Sequence, residues 1–172
     1  MKKVAVFGNA GAGKSTLSKR LAEKTGLPLV VLDLIQYKAG GDKVPHEEYK
    51  TAHDRILQQD CWVIDGFGSL DTIWSRLEVA DTLIYLDLPV ARHYFWVTKR
   101  FLKGLWIAPE GYPENTPLFK ATLNSYYTVR LCHKKLTPRY REYVEKARLS
   151  KQVFHLQSTK DIEQFWKFLE SK

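Results

Sequence analysis

Val4-Ala5-Val6-Phe7-Gly8-Asn9-Ala10-Gly11-Ala12-Gly13-Lys14-Ser15 is the stretch on which the fold turns. Val4 to Phe7 is a short apolar run without polar alternation, as expected of a strand buried on both faces. From Gly8 the chain matches G-x-x-x-x-G-K-[ST] in full, the pattern of a phosphate-binding loop. Glycines let the backbone turn so that consecutive N–H groups point inward at phosphate oxygens. The helix that follows adds the positive end of its dipole to the same place. Lys14 then reaches the β- and γ-phosphates, and the Ser15 hydroxyl ligates magnesium. Gly8, Asn9, Ala10, Gly11, Ala12, Gly13, Lys14, Ser15 and Thr16 are therefore the expected nucleotide-binding residues, for a nucleoside triphosphate with Mg2+.

Outward from this loop, strands and helices alternate. Ser15 to Lys24 reads as an amphipathic helix stopped by Gly26, and Leu29–Leu32 as a second strand. A polar loop with Gly40, Gly41 and Pro45 leads to a helix from about His46 to Gln59. A third strand, Trp62–Ile64, ends at Asp65-Gly66, and a helix over Leu70–Glu78 follows. Thr82–Leu86 is the fourth strand, after which Pro89 opens a helix to about Lys103. Residues 104–117 carry Gly104, Pro109, Gly111, Pro113 and Pro117 and read as a loop. Leu118 to Ala147 is mostly helical with a break near Pro138. Gln152–Leu156 is the last strand, and the C-terminal helix Thr159–Leu169 takes Thr159 as its cap, with Asp161 in the first turn. This alternation predicts an α/β fold with a mostly parallel sheet and helices on both faces.

The chain has 172 residues, 44% hydrophobic and 27% charged, which suits one domain over residues 1–172. No apolar run approaches the roughly 18–20 residues of a membrane span, and no signal-peptide core follows the N-terminal lysines. A cytoplasmic protein without a membrane partner is expected. Cys61 and Cys132 lie far apart and read as free thiols. Between Arg92 and Lys151 there are 13 Lys and Arg against 4 Asp and Glu, a local +9, so that the rest of this +8 chain nets −1. Such a segment faces a polyanion; nucleotide phosphates and a nucleic-acid backbone both answer that description.

Ligands of open α/β sheets sit beyond the carboxyl ends of the strands, where Gly8, Asp33, Asp65 and Asp87 all fall. Asp65, closing an apolar run, is the candidate magnesium ligand beside Ser15. Asp87 has the same form and reads as structural or as a support behind the metal ligands. Asp33 either orients or deprotonates an acceptor hydroxyl, or caps a helix or loop. Arg100 and Arg130 are the candidates to stabilise charge on a transferring phosphoryl group. Lys99, Lys103, Lys134, Lys135, Arg139 and Arg141 read as a solvated basic face. Tyr94, Phe95, Trp96, Phe101 and Trp106 crowd one loop, and core packing is expected of them ahead of stacking on a base.

With these residues in place, the chain resembles the adenylate-kinase-like P-loop kinases, most closely the small bacterial branch labelled DNA topology modulation proteins. The resemblance spans the whole chain. It rests on the P-loop, Val31-Leu32-Asp33, Trp62-Val63-Ile64-Asp65-Gly66-Phe67, Ala80-Asp81-Thr82 and Leu86-Asp87-Leu88-Pro89. It continues through Lys99-Arg100, Arg130-Leu131 and Val153-Phe154-His155-Leu156 before Ser158-Thr159. It implies a three-layer P-loop NTPase fold, a five-stranded sheet of order 2-3-1-4-5 and a short helical lid over about 100–130. It also implies ATP at the P-loop, the Ser158–Thr159 loop near the adenine, and an acceptor site near Asp33 and the 65–76 segment. Gly68-Ser69 stands where adenylate kinases carry Pro-Arg, so an arginine for the acceptor's phosphate is missing there, with Arg55 and Arg76 as possible stand-ins. With only two cysteines, a four-cysteine zinc lid is excluded.

The expected function is transfer of the γ-phosphate of ATP to a small-molecule acceptor, a nucleoside or nucleoside monophosphate. Lys14, Arg100, Arg130 and Asp33 are the expected catalytic residues, and Ser15 and Asp65 the metal ligands. Two alternatives stand beside it: a nucleic-acid-associated NTPase or regulator, and an ATP-binding sensor without kinase activity.

Overall fold

In the computed structural model, residues 1–38, 41–106 and 117–171 are described. Their elements run β1 (Lys3–Gly8), α1 (Lys14–Thr25), β2 (Leu29–Val31), α2 (Leu32–Gln36), α3 (His46–Leu57), β3 (Trp62–Asp65) and α4 (Thr72–Val79). Then come β4 (Thr82–Leu86), α5 (Val90–Gly104), α6 (Leu118–Lys135), α7 (Thr137–Ala147), β5 (Gln152–Leu156) and α8 (Thr159–Glu170). The five strands form one parallel sheet in the order β2-β3-β1-β4-β5, as expected. β1 lies at its centre, with Ala5 opposite Ile64 of β3 and Leu83 of β4.

Strand side chains alternate between two helical layers. Val4 and Val6 of β1, with Val63, Ile84 and Leu86, pack on Leu17 and Leu21 of α1 and on Phe165 and Trp166 of α8. Ala5 and Phe7, with Ile64, Leu83 and Tyr85, face Ile73 and Leu77 of α4 and Cys132, Tyr140 and Val144 of α6 and α7. The Phe7 ring stacks on Tyr85 at 5.0 Å and meets the edge of Tyr140 at 5.1 Å. Covered on both faces, the sheet's central strands can be apolar throughout, which is why they read so clearly. Leu21 is 0% exposed. Leu21→Ala is expected to cost about 2–5 kcal/mol, by the transfer and cavity terms of a truncated core leucine. Urea unfolding followed by circular dichroism measures it.

Several expected boundaries are corrected. β2 ends at Val31, and Leu32 opens α2, a five-residue helix absent from the expectations. One turn and a half is too short to show a helical period. α4 begins at Thr72 rather than Leu70, and α3 ends at Leu57 rather than Gln59. The α6–α7 break falls at Leu136, and Pro138 sits in the first turn of α7, where a missing N–H costs nothing. Ser158, not Thr159, caps α8: its hydroxyl accepts from Asp161 N–H while the Asp161 carboxylate accepts from Ser158 N–H. The turn residue Gly40 and the loop residues Pro109, Gly111 and Pro113 lie outside the described residues. Among the described residues no helix is long and apolar enough to cross a membrane.

Candidate active site

The site begins where β1 runs out. Gly8 to Gly13 curls back over the sheet and hands the chain to α1, whose N-cap is Gly13, in left-handed conformation and with no side chain to satisfy the first N–H groups. Those groups stay available to a ligand. At Gly11, φ is +66°, and a Cβ would lie 2.9 Å from both the His93 carbonyl oxygen and Val97 Cγ2 of α5. Only glycine lets the loop press so closely on that helix.

Asn9 fastens the loop to α6: its side-chain amide donates to the Val129 carbonyl at 2.9 Å, and its Oδ1 accepts from Ala10 N–H at 2.7 Å. Lys14 folds back across the loop and donates to the Asn9 carbonyl at 2.8 Å. Burial pulls the Lys14 ammonium below its ordinary value, against the upward pull of Asp65 and Asp33. Ser15 and Thr16 are exposed at the mouth.

Two carboxylates face this lysine. Asp65, at the end of β3, is 1% exposed, and its Oδ1 has no hydrogen-bond partner. Asp33, in the first turn of α2, is half-buried, and burial together with the charge of Asp65 raises its carboxyl above the ordinary range. Arg100 of α5 is half-buried and donates through Nη2 to Ser125 Oγ of α6 at 3.0 Å. Its charge reaches both Lys14 and Asp33. Lys14, Asp33, Asp65 and Arg100 are thus brought together. Arg130 is adjacent to Val129, the Asn9 anchor, but exposed on α6.

Asp87 has a different task. Its carboxylate accepts from Arg141 Nε at 2.7 Å and Nη2 at 3.0 Å, and lies 2.9 Å from His155 Nε2. Burial alone would raise this carboxyl, yet the hydrogen bonds from His155 and Arg141 pull it far below the usual range. A carboxylate so engaged ties β4 to α7 and β5, as a structural residue does. A depressed carboxyl contributes stability that is full above its unfolded value and is lost as pH falls through its folded one. Arg141→Ala is expected to cost about 1 kcal/mol at neutral pH, small because the guanidinium is half exposed, with the deficit shrinking below about pH 4. Denaturant midpoints at neutral and acid pH test this.

Arg76 of α4 is the residue that sequence reasoning nearly missed. It is 1% exposed, and Nη2 donates to the carbonyls of Gly66 at 3.2 Å and Phe67 at 2.9 Å. Its charge acts on Asp33, whereas Arg55 is exposed on α3. Tyr94 and Phe101 pack on Tyr126 and Phe119 of α6, and the Trp96 ring lies alongside Gly13. Core packing fails for Phe95 and Trp106, which are 63% and 80% exposed.

The donor set fits a phosphate chain and a hard cation: uncapped amides, a lysine across the loop, an exposed hydroxyl and an orphaned carboxylate oxygen. Among the described residues no three His, Cys, Asp or Glu side chains gather into a metal cage. Magnesium bound to phosphates needs only one or two protein oxygens.

Three solved structures share this architecture. Shikimate kinase from Acinetobacter baumannii, in complex with shikimate, superposes with a TM-score of 0.59 at 18% identity, over 100% of this chain and 95% of that one. Shikimate kinase from Bacteroides thetaiotaomicron gives 0.55 at 15% identity, over 97% of each chain. A sugar kinase from Janibacter sp. HTCC2649, unliganded, gives 0.51 at 16%, over 99% and 95%. The fold is therefore that of the P-loop kinases. Residues 1–78 also match the isopentenyl transferase family, a match that covers less than half the chain and ends before β4. No curated protein sequence matches the chain.

Proposed function

We propose that this protein is an adenylate-kinase-like phosphotransferase. In this reading it moves the γ-phosphate of ATP to a small acceptor, a nucleoside or nucleoside monophosphate. The observation that carries it is the convergence of Lys14, Asp33, Asp65 and Arg100 on one end of the sheet, with polar atoms left unpartnered beside an uncapped helix start. Residues 1–172 act as one domain, with the segment around 100–130 as its lid.

The loop amides of Gly8 to Thr16 and Lys14 hold the phosphate chain in line. Magnesium, when bound, neutralises phosphate charge, with Ser15 and Asp65 as its protein ligands. Asp33 accepts a hydrogen bond from the acceptor hydroxyl and takes its proton; its raised carboxyl makes it a stronger base than an ordinary aspartate once ionised. Arg100, aimed by Ser125, and Arg130 stabilise the equatorial oxygens. Positioning and charge account for most of phosphoryl-transfer catalysis, and these residue types supply both.

The test is ATP consumption with magnesium against a panel of nucleosides, nucleoside monophosphates and small hydroxy acids, with the fate of the γ-phosphate followed directly. One acceptor that accelerates ATP loss and gains the phosphate supports the proposal. ATP binding without transfer to any acceptor supports the sensor reading, and an acceptor that takes the prenyl group of an added prenyl diphosphate, with release of diphosphate, supports the chemistry named by the isopentenyl transferase match.

One observation favours a nucleic-acid partner as a second reading. α5 and α6 contain no Asp or Glu, and their exposed positions mix Lys99, Lys103, Lys120 and Arg130 with Phe95, Leu102, Leu123 and Tyr127. Basic groups between exposed rings suit a phosphate backbone with stacked bases. Binding to a single-stranded oligonucleotide that weakens steeply with salt supports it; flat, weak binding rejects it.

A further inference from the structure

The loop between β3 and α4 is held in an unusual way. Arg76 is a buried cation with no ion-pair partner within 4.0 Å among the described residues, and its Nε and Nη1 have no hydrogen-bond partner. A buried charge in that state is costly. What it touches is backbone: one nitrogen, Nη2, gathers the carbonyls of Gly66 and Phe67. In a planar trans peptide the carbonyl oxygen and the following N–H point in opposite directions. Gathering those two oxygens therefore turns the N–H groups of Phe67 and Gly68 away from Arg76. Neither N–H has a hydrogen-bond partner among the described residues.

Glycine makes this seat possible. Gly68 has φ +66°, and a Cβ there would lie 2.2 Å from Tyr49 Oη and 3.1 Å from Arg76 Nη1. Any larger residue would lift the loop off the guanidinium. Two residues earlier in the loop, the position of a Cβ on Gly66 lies 3.4 Å from Asp33 Oδ1, so the loop runs between the arginine and that aspartate. Two successive unpartnered amides above a buried positive charge form a concavity for an oxyanion.

We propose that Phe67 and Gly68 form an anion-binding subsite for the acceptor, gripping a phosphate or carboxylate through their amides. Arg76 is its positioning residue: it orients both amides and supplies countercharge from beneath without touching the ligand. This rests on the phosphotransferase reading, which places the acceptor beside Asp33. It narrows the acceptor to a hydroxyl compound that also carries an oxyanion, the hydroxyl at Asp33 and the anion at the loop. It also explains how a chain with glycine and serine at 68 and 69 can hold such a group, the charge coming from below the loop instead of from its surface.

The test is an amide-proton NMR titration of the full chain with inorganic phosphate, then with acetate, both to tens of millimolar. The P-loop amides from Gly11 to Lys14 serve as an internal reference. In the wild type, Phe67 and Gly68 are expected to shift saturably with at least one of the two anions. Phosphate as the stronger of the two points to a phosphorylated acceptor, and acetate to a carboxylate. In Arg76→Gln the P-loop response persists, while that of Phe67 and Gly68 weakens by about tenfold or more, as for loss of the countercharge beneath the loop and of the amides' orientation. Arg76→Lys, which keeps the charge on a side chain one atom shorter and so holds the two carbonyls less closely, is expected to fall between the two and covers the case in which the glutamine variant does not fold. The proposal is overturned if Phe67 and Gly68 ignore both anions while the P-loop responds, or if either folded variant leaves their response unchanged. Silence at the P-loop as well would instead count against the nucleotide reading.

Discussion

Lys14→Ala is expected to lower turnover of ATP with its acceptor by about a thousandfold or more, close to 4 kcal/mol of transition-state stabilisation. The physical case starts from where Lys14 is held. Its ammonium bonds the Asn9 carbonyl across the loop, and it sits in the fields of Asp65 and Asp33. The cation is therefore pre-placed above the loop amides, where charge on the phosphate chain would lie. Alanine leaves the amides and the helix start untouched, so nucleotide binding should fall far less than turnover. Stability should move little, because burial disfavours the Lys14 charge in the folded state. For a lysine whose folded value is lowered, the folded state binds fewer protons over the interval up to the unfolded value of 10.5, and stability rises with pH there. The wild type should thus gain on the variant as pH climbs towards that value, while the two stay within about 1 kcal/mol at neutral pH. Single-turnover rates with denaturant curves decide the matter. Turnover within tenfold of wild type would remove Lys14 from the chemistry.

How much of this was legible beforehand varies with the range of the forces involved. β1, β3 and β4 are local: apolar runs covered on both faces announce themselves, and the P-loop carries its own geometry in its glycines. Asp65 and Asp87 look alike in sequence, each an aspartate after three apolar residues. They part only in three dimensions, where Arg141 from α7 and His155 from β5 engage Asp87 and leave Asp65 with an unpartnered oxygen. Arg76 is the sharper case. In the run Thr72–Val79 it reads as one polar position on an amphipathic helix, yet it is buried because two carbonyls ten and nine residues earlier turn onto it. No periodicity encodes that contact; the glycines at 66 and 68, spaced to free the loop, are its only trace. Phe95 and Trp106 show the reverse limit, since aromatic content near a loop says nothing about which face of α5 is covered.

Asp33→Asn is expected to lower turnover by about a hundredfold to ten-thousandfold, the range for loss of a positioned general base, with ATP affinity nearly unchanged. The substitution keeps the shape and the hydrogen-bonding oxygen, so an Asp33 that only caps α2 or orients the acceptor would lose far less. The pH dependence separates the two roles. Burial and the neighbouring Asp65 raise the Asp33 carboxyl, so the ionised base is lost at a pH above the ordinary carboxylate value of 3.8. Wild-type turnover should therefore fall as pH drops through that raised value, and this acid limb should vanish in the asparagine variant. Stability should change in the opposite sense to activity. A carboxyl whose folded value is raised binds more protons folded than unfolded, so stability falls as pH rises from 3.8 through the folded value and the cost is complete above it. Asp33→Asn should then be more stable than wild type at neutral pH, and the gain should disappear on acidification below 3.8. A base held at the mouth of the site against its own solvation predicts this pairing of lower turnover with higher stability. A variant that is both slower and less stable at neutral pH would mark Asp33 as a structural residue of α2.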